Sequence, residues 1–122
     1  MAHTIHGNIE PANVMFVKGN LCLIDFGTSF LLSSTESSTI VKHDCINLDY
    51  AAREVVVNYE ATQSSDVYSL GCILFEIVCG KHVLSHCDDK SSWVAKGFPL
   101  NVPNDLPEIF KRPLQRYRHS LS

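Results

Sequence analysis

His6-Gly7-Asn8-Ile9-Glu10-Pro11-Ala12-Asn13 (HGNIEPAN) runs directly into VMFVKGNLCLIDFG, Val14 to Gly27. The second piece holds two short apolar runs rich in strand-forming residues, VMFV at 14–17 and LCLID at 21–25, separated by Lys18-Gly19-Asn20. Apolar runs this short around a glycine-containing turn predict a β-hairpin with buried faces, hairpin 14–25. The polar octet leads into that hairpin and the Asp25-Phe26-Gly27 tripeptide leads out of it.

Beyond the hairpin the chain turns polar and irregular from Thr28 to Asp49. Ser33 to Thr39 (SSTESST) lacks the apolar side chains to hold a core, so a mobile loop is expected. Order is expected to return with a short helix in YAAREVVVNYE from Tyr50. Val67 to Val78 (VYSLGCILFEIV) reads as the buried part of a longer helix, the central helix 65–79. Ser64-Ser65-Asp66 offers side-chain oxygens for its free first-turn amides, and Gly80 can take the left-handed conformation that ends many helices. With apolar residues at nearly every position, this helix is expected to be surrounded by protein on all sides. A short helix around Ser91 to Lys96 and an amphipathic segment interrupted by Pro113 make up a C-terminal helical region, 91–121.

One domain accounts for 122 residues, of which 45% are hydrophobic. The net charge of −3 gives no electrostatic reason for nucleic-acid or anionic-membrane binding, and Lys111 to His119 (KRPLQRYRH) reads as a solvated helix face. Five cysteines at irregular spacing, with no basic-then-apolar leader, predict a reducing, intracellular and cytoplasmic setting. The twelve-residue apolar run contains Glu76 and is too short to span a bilayer. Cys79, His82, His86 and Cys87 could be drawn as a zinc site, but C-x2-H-x3-H-C matches no familiar two-pair spacing, so core cysteines are the expected reading.

Four landmarks in one order resemble the eukaryotic protein kinase family. Residues 6–13 lie where the family has the catalytic loop H-R-D-x-K-x-x-N, and Asp25-Phe26-Gly27 matches D-F-G. Ala52-Arg53-Glu54 lies where A-P-E closes the activation segment, here 25–54, and Ser65 to Gly71 (SDVYSLG) resembles the opening of the central helix. The resemblance implies a mainly α fold with a small β-hairpin, the C-terminal lobe of a kinase-like domain with the N-terminal lobe absent. It implies ATP and magnesium as cofactors, with Asn13 and Asp25 as the metal and nucleotide contacts. His6, Phe26, Gly27, Glu54 and Asp66 take structural roles, Asp66 by holding the catalytic loop through its backbone amides.

The resemblance also locates the departures. Asn8 stands where the family has its base aspartate, and an amide has no usable basicity near neutral pH. Glu10 replaces a lysine that neutralises the transferring phosphoryl group, and Asn47 replaces the threonine of the same network. Gly7 replaces an arginine that reads a phosphate in many members, and Arg53 replaces a proline beside Glu54. Glycine loop, V-A-I-K lysine and its partner glutamate find no match. The expectation is therefore a partial kinase-like domain, related to ATP-dependent phosphotransfer to protein Ser/Thr but inactive as this chain, with weak or absent ATP and magnesium binding. Its alternative is a pseudokinase-type interaction module whose partner is a protein or the missing N-terminal lobe.

Overall fold

The computed structural model describes residues 3–82 together with Leu84, Ser85, Asp89, Lys90 and Val94. Among the described residues up to Gly80, six short strands and two α-helices follow one another in the order β1 (His3–Ile5), β2 (Val14–Val17), β3 (Asn20–Leu23), β4 (Phe30–Leu32), β5 (Ser38–Ile40), α1 (Arg53–Asn58), β6 (Glu60–Thr62) and α2 (Gln63–Cys79). Single 3-10 turns cover Pro11–Asn13 and His43–Cys45. The strands make three two-stranded antiparallel sheets, β1 with β4, β2 with β3 and β5 with β6.

This overturns the mainly α C-terminal-lobe architecture expected from the sequence, in which one hairpin was the whole of the β structure. The physical reason lies in Thr28 to Asp49. Phe30–Leu32 pairs with β1 and Ser38–Ile40 pairs with β6, so segments with no local apolar alternation gain backbone partners from distant parts of the chain. The polar SSTESST segment accordingly ends in a strand, and Glu36 reaches back to accept from the Ser33 amide at 2.9 Å.

The β2–β3 hairpin forms with Val14 opposite Leu23 and Val17 opposite Asn20. Its turn is two residues, Lys18-Gly19, both left-handed, so Asn20 belongs to the strand and not to the turn. That geometry suits a hairpin because it follows the right-handed twist of the strands. Its expected burial does not occur: Phe16 is 74% and Leu21 66% exposed.

Helix α2 starts two residues earlier than predicted. Thr62, not the Ser64–Asp66 group, is its cap: Ser65 N–H donates to the Thr62 hydroxyl at 3.1 Å and Thr62 N–H donates back to Ser65 Oγ at 3.0 Å. This capping box satisfies two otherwise unpaired donors. Gly80 closes the helix at φ 75°, its N–H bonding to the Glu76 carbonyl. Nor is α2 enclosed on every side. Tyr68, Cys72 and Phe75, three and four residues apart, enter the core, while Val67, Leu70 and Ile77 face outward. Ile5 of β1, Val55 of α1 and Ala61 of β6 complete that core around Cys72.

Apart from Val94, the predicted helix at 91–96 and the C-terminal helical region 91–121 lie outside the described residues, as do the basic segment 111–119, His86 and Cys87. Among the described residues no group of three or more His, Cys, Asp or Glu side chains is placed to hold a metal, and no helix is long and apolar enough to cross a membrane.

Candidate functional site

The segment 6–13 is fixed first through its backbone. His6 N–H donates to Asp66 Oδ2 at 2.7 Å and Gly7 N–H to Asp66 Oδ1 at 3.1 Å, so both carboxylate oxygens of one α2 side chain hold consecutive amides. Charge-assisted bonds of this kind are the strong ones. The His6 ring, 4% exposed, is committed at both nitrogens. Nδ1 accepts from Asn8 N–H at 3.1 Å, which leaves Nε2 to donate to the Ile24 carbonyl at 2.9 Å. Phe26 stacks edge-on against the same ring at 4.8 Å between centroids. His6 therefore ties residues 6–8 to the stretch that carries Asp25.

Asn13 is held from the same stretch. Its carbonyl accepts from Ile24 N–H at 2.9 Å and its Nδ2 donates to the Asn8 carbonyl at 2.8 Å. The amide oxygen of Asn13 accepts no bond among the described residues. Asp25 takes a left-handed backbone, φ 59°, unusual for a residue with a side chain, and its Oδ1 accepts from Gly27 N–H at 3.3 Å. A carboxylate and a side-chain amide oxygen are hard donors of the kind magnesium takes, the role the sequence expects of Asp25 and Asn13.

The three altered positions part company. Asn47 Nδ2 donates to Glu10 Oε2 at 2.6 Å, joining the loop at 6–13 to the segment leading into α1. Asn8 gives its backbone to His6 and Asn13, and its side chain is not part of the Glu10–Asn47 bond. At Gly7, φ is 82° and an added Cβ would lie 3.2 Å from the Thr28 carbonyl, so the loop approaches the turn at Thr28 closely where a side chain would be strained.

Glu54 has a partner: Ser65 Oγ donates to its Oε1 at 2.8 Å, linking α1 to the cap of α2. The sequence reading assigned no bonding role to Ser69, Tyr50, Glu76 or His82. Ser69 Oγ donates to the Tyr50 carbonyl at 2.6 Å, and Tyr50 OH donates to Glu76 Oε2 at 2.7 Å. Burial first, and then the Glu76 carboxylate, raise the Tyr50 phenol well above its ordinary pKa. His82 packs edge-on against the Tyr50 ring at 4.9 Å, while its Nε2 donates to the Asp49 carbonyl and its Nδ1 accepts from Leu84 N–H. Asp49 in turn pairs with Lys90. A polar residue at the end of an apolar helix, such as Glu76, was the available signal that a buried donor must lie opposite. Cys79 stays protonated more firmly than an exposed thiol, because burial outweighs the opposing pull of Lys81.

A protein-family model described as the protein kinase domain matches residues 1–114 of this chain. The match runs from the first residue across all three sheets and gives no support to a chain divided off as a C-terminal lobe. The serine/threonine-protein kinase MPS1 of Encephalitozoon cuniculi is 41% identical over 76 residues, 61% of this chain and 13% of that protein. An Aurora kinase of Schizosaccharomyces pombe is 32% identical over 120 residues, 93% of this chain and 33% of that protein. A human SNF-related serine/threonine-protein kinase is 30% identical over 122 residues, again 93% of this chain, and 16% of its own length. The chain thus spans a third or less of these relatives.

Proposed function

Since the chain belongs to the protein kinase family, we propose that it is a kinase-derived domain in which the framework for Ser/Thr phosphotransfer is kept and the transfer itself is lost. The observation that carries this reading is the 2.6 Å bond from Asn47 Nδ2 to Glu10 Oε2. A carboxylate with its own amide donor is organised around negative charge, where transfer to a hydroxyl needs positive charge beside the phosphates. Asn8 adds the absence of a base, and loss of a general base alone forfeits about 10²–10⁴-fold in rate.

ATP and magnesium are the cofactors general to the family. Asn13 and Asp25 would hold the ion, which when bound neutralises phosphate charge. Around them, His6 and Ile24 fix the spacing of the two ligands through backbone and ring hydrogen bonds, and Asp66 fixes the loop to α2. Nothing in this arrangement accepts a proton from an incoming hydroxyl. The test is transfer of labelled phosphate from ATP with magnesium to a generic protein substrate. No transfer above background is expected, and transfer abolished by Asp25→Ala would overturn the reading.

A pseudokinase-type interaction module is the second reading, favoured by the exposed apolar side chains of Met15, Phe16, Val17 and Leu21 on the hairpin and Phe26 beside it. Its partner would be a protein that covers the hairpin. Replacing Phe16 and Leu21 by serine is expected to abolish that association and leave the melting temperature of the free chain unchanged. Association that survives the double substitution would remove this reading.

A further inference from the structure

The loop at 6–9, the segment 27–47 and the two α-helices border a cavity of about 390 Å³. That volume is within the ~300–1,000 Å³ typical of small-molecule sites. Asn8 and Asn47 both line it, so it is part of the candidate site and not a separate pocket. Its walls are mainly apolar, with Phe30, Ile46, Val55 and Ala61 contributed by four different parts of the chain.

What the cavity can hold is decided by which polar groups on its wall are still free. Ser29, Ser65 and Ser69 give their hydroxyl protons to the His6 carbonyl, Glu54 Oε1 and the Tyr50 carbonyl. Both Asp66 oxygens hold backbone amides, and the Asn47 side chain is divided between Glu10 and the Asp49 N–H. The Thr28 hydroxyl is shut off from solvent, so nothing in the cavity reaches it. Lys42 is exposed to water, which weakens its hold on an anion. Asn8 differs from all of these. Its backbone N–H and carbonyl are taken by His6 Nδ1 and Asn13 Nδ2, while its side-chain amide makes no hydrogen bond among the described residues. The residue is half-buried, and neither its Oδ1 nor its Nδ2 is shut off from solvent as the Thr28 hydroxyl is. Asn8 therefore offers a ligand one acceptor and one donor side by side.

From this we infer that the cavity binds a small neutral compound, an apolar body bearing a primary carboxamide, whose carbonyl accepts from Asn8 Nδ2 and whose NH2 donates to Asn8 Oδ1. A ketone makes only the first of these bonds, and a carboxylate sets its charge against the Asn8 oxygen. The inference rests on the function proposed above, in that residue 8 pairs with a ligand where a base would take a proton. It is tested by binding without nucleotide, so its failure is told apart from failure of that reading, which the transfer assay decides.

Benzamide, acetophenone and benzoate share a ring and differ in the polar group. Each is titrated against the full chain, without ATP, and followed by amide chemical shifts. Benzamide is expected to give saturable shifts at the Asn8 side-chain NH2 and at the backbone of Phe30, Ile46 and Ala61. It should bind about fivefold more tightly than acetophenone, the net worth of one hydrogen bond, and more tightly than benzoate. Asn8→Leu, similar in size, should remove the advantage of benzamide over acetophenone. No saturable shift at these residues, acetophenone or benzoate binding as tightly as benzamide, or an advantage that survives Asn8→Leu would each overturn the inference. If Asn8→Leu does not fold, the Asn8 side-chain signals of the unaltered chain decide: they move with benzamide and stay in place with isopropylbenzene, and equal movement with both overturns the inference.

Discussion

The two ends of the segment 6–13 are held in different ways. At the His6 end the ring is buried and two backbone amides share one carboxylate from α2, so position is set by the core helix. At Glu10 the side chain is held by one bond to Asn47 near the surface, and the backbone by the local turn in which Asn13 N–H donates to the Glu10 carbonyl. The first arrangement is independent of what chemistry the loop performs, and in the function proposed above the second stands in place of that chemistry. A framework anchored by backbone can outlast the loss of reactive side chains, because α2 goes on holding amides that every residue except proline carries.

The contrast can be broken most forcefully at Asp66. Asp66→Ala strands two amides, and a loss of about 2–4 kcal/mol in urea unfolding is expected. A loss no greater than that of Glu10→Ala would erase the distinction between the two ends. Ser65→Ala removes the reciprocal cap of α2 and the hydroxyl that reaches Glu54, with an expected cost of about 1–2 kcal/mol. The Glu10 end should be far more tolerant. Asn47→Ala is expected to cost within about 0.5–1 kcal/mol, since an exposed side-chain pair contributes little to stability.

Tyr50 sharpens the comparison by pH. Its raised pKa means that above about pH 10, the ordinary tyrosine value, the unfolded chain gives up this proton before the folded chain does. Stability from this group is present in full below pH 10 and is lost progressively as pH rises. The urea midpoint of the chain should therefore fall between pH 9 and 11, and Tyr50→Phe should flatten part of that slope. An identical slope in the variant would show that the Tyr50–Glu76 bond contributes nothing to folding. The smallest effect is expected at Phe16→Ser, within about 0.5 kcal/mol, because the side chain is already in water.

What could be read in the sequence follows the range of the forces involved. The hairpin was legible because Lys18-Gly19 is a local turn signal. Gly80 marked the end of α2 for the same reason. The start of α2 was misread because Ser64, Ser65 and Asp66 all have capping chemistry, and only the mutual bonds of Thr62 and Ser65 choose among them. Strands β4, β5 and β6 are three residues each, without a period-two pattern, and exist through long-range pairing that no local window contains. The family resemblance pointed to positions 8, 10 and 47, but the Glu10–Asn47 bond needed coordinates. Burial was the poorest guide: apolar runs in the hairpin and in α2 do not reveal whether anything packs on their second face.

The central claim is that transfer is lost on two separate grounds, the missing base at Asn8 and the Glu10–Asn47 pair, so that restoring one does not restore transfer. It is tested most directly by Asn8→Asp in an assay of phosphate transfer from ATP with magnesium. With Glu10 and its Asn47 partner still in place, no transfer above the wild-type background is expected. A large gain from that single change would contradict the account, because the base alone would then have been missing.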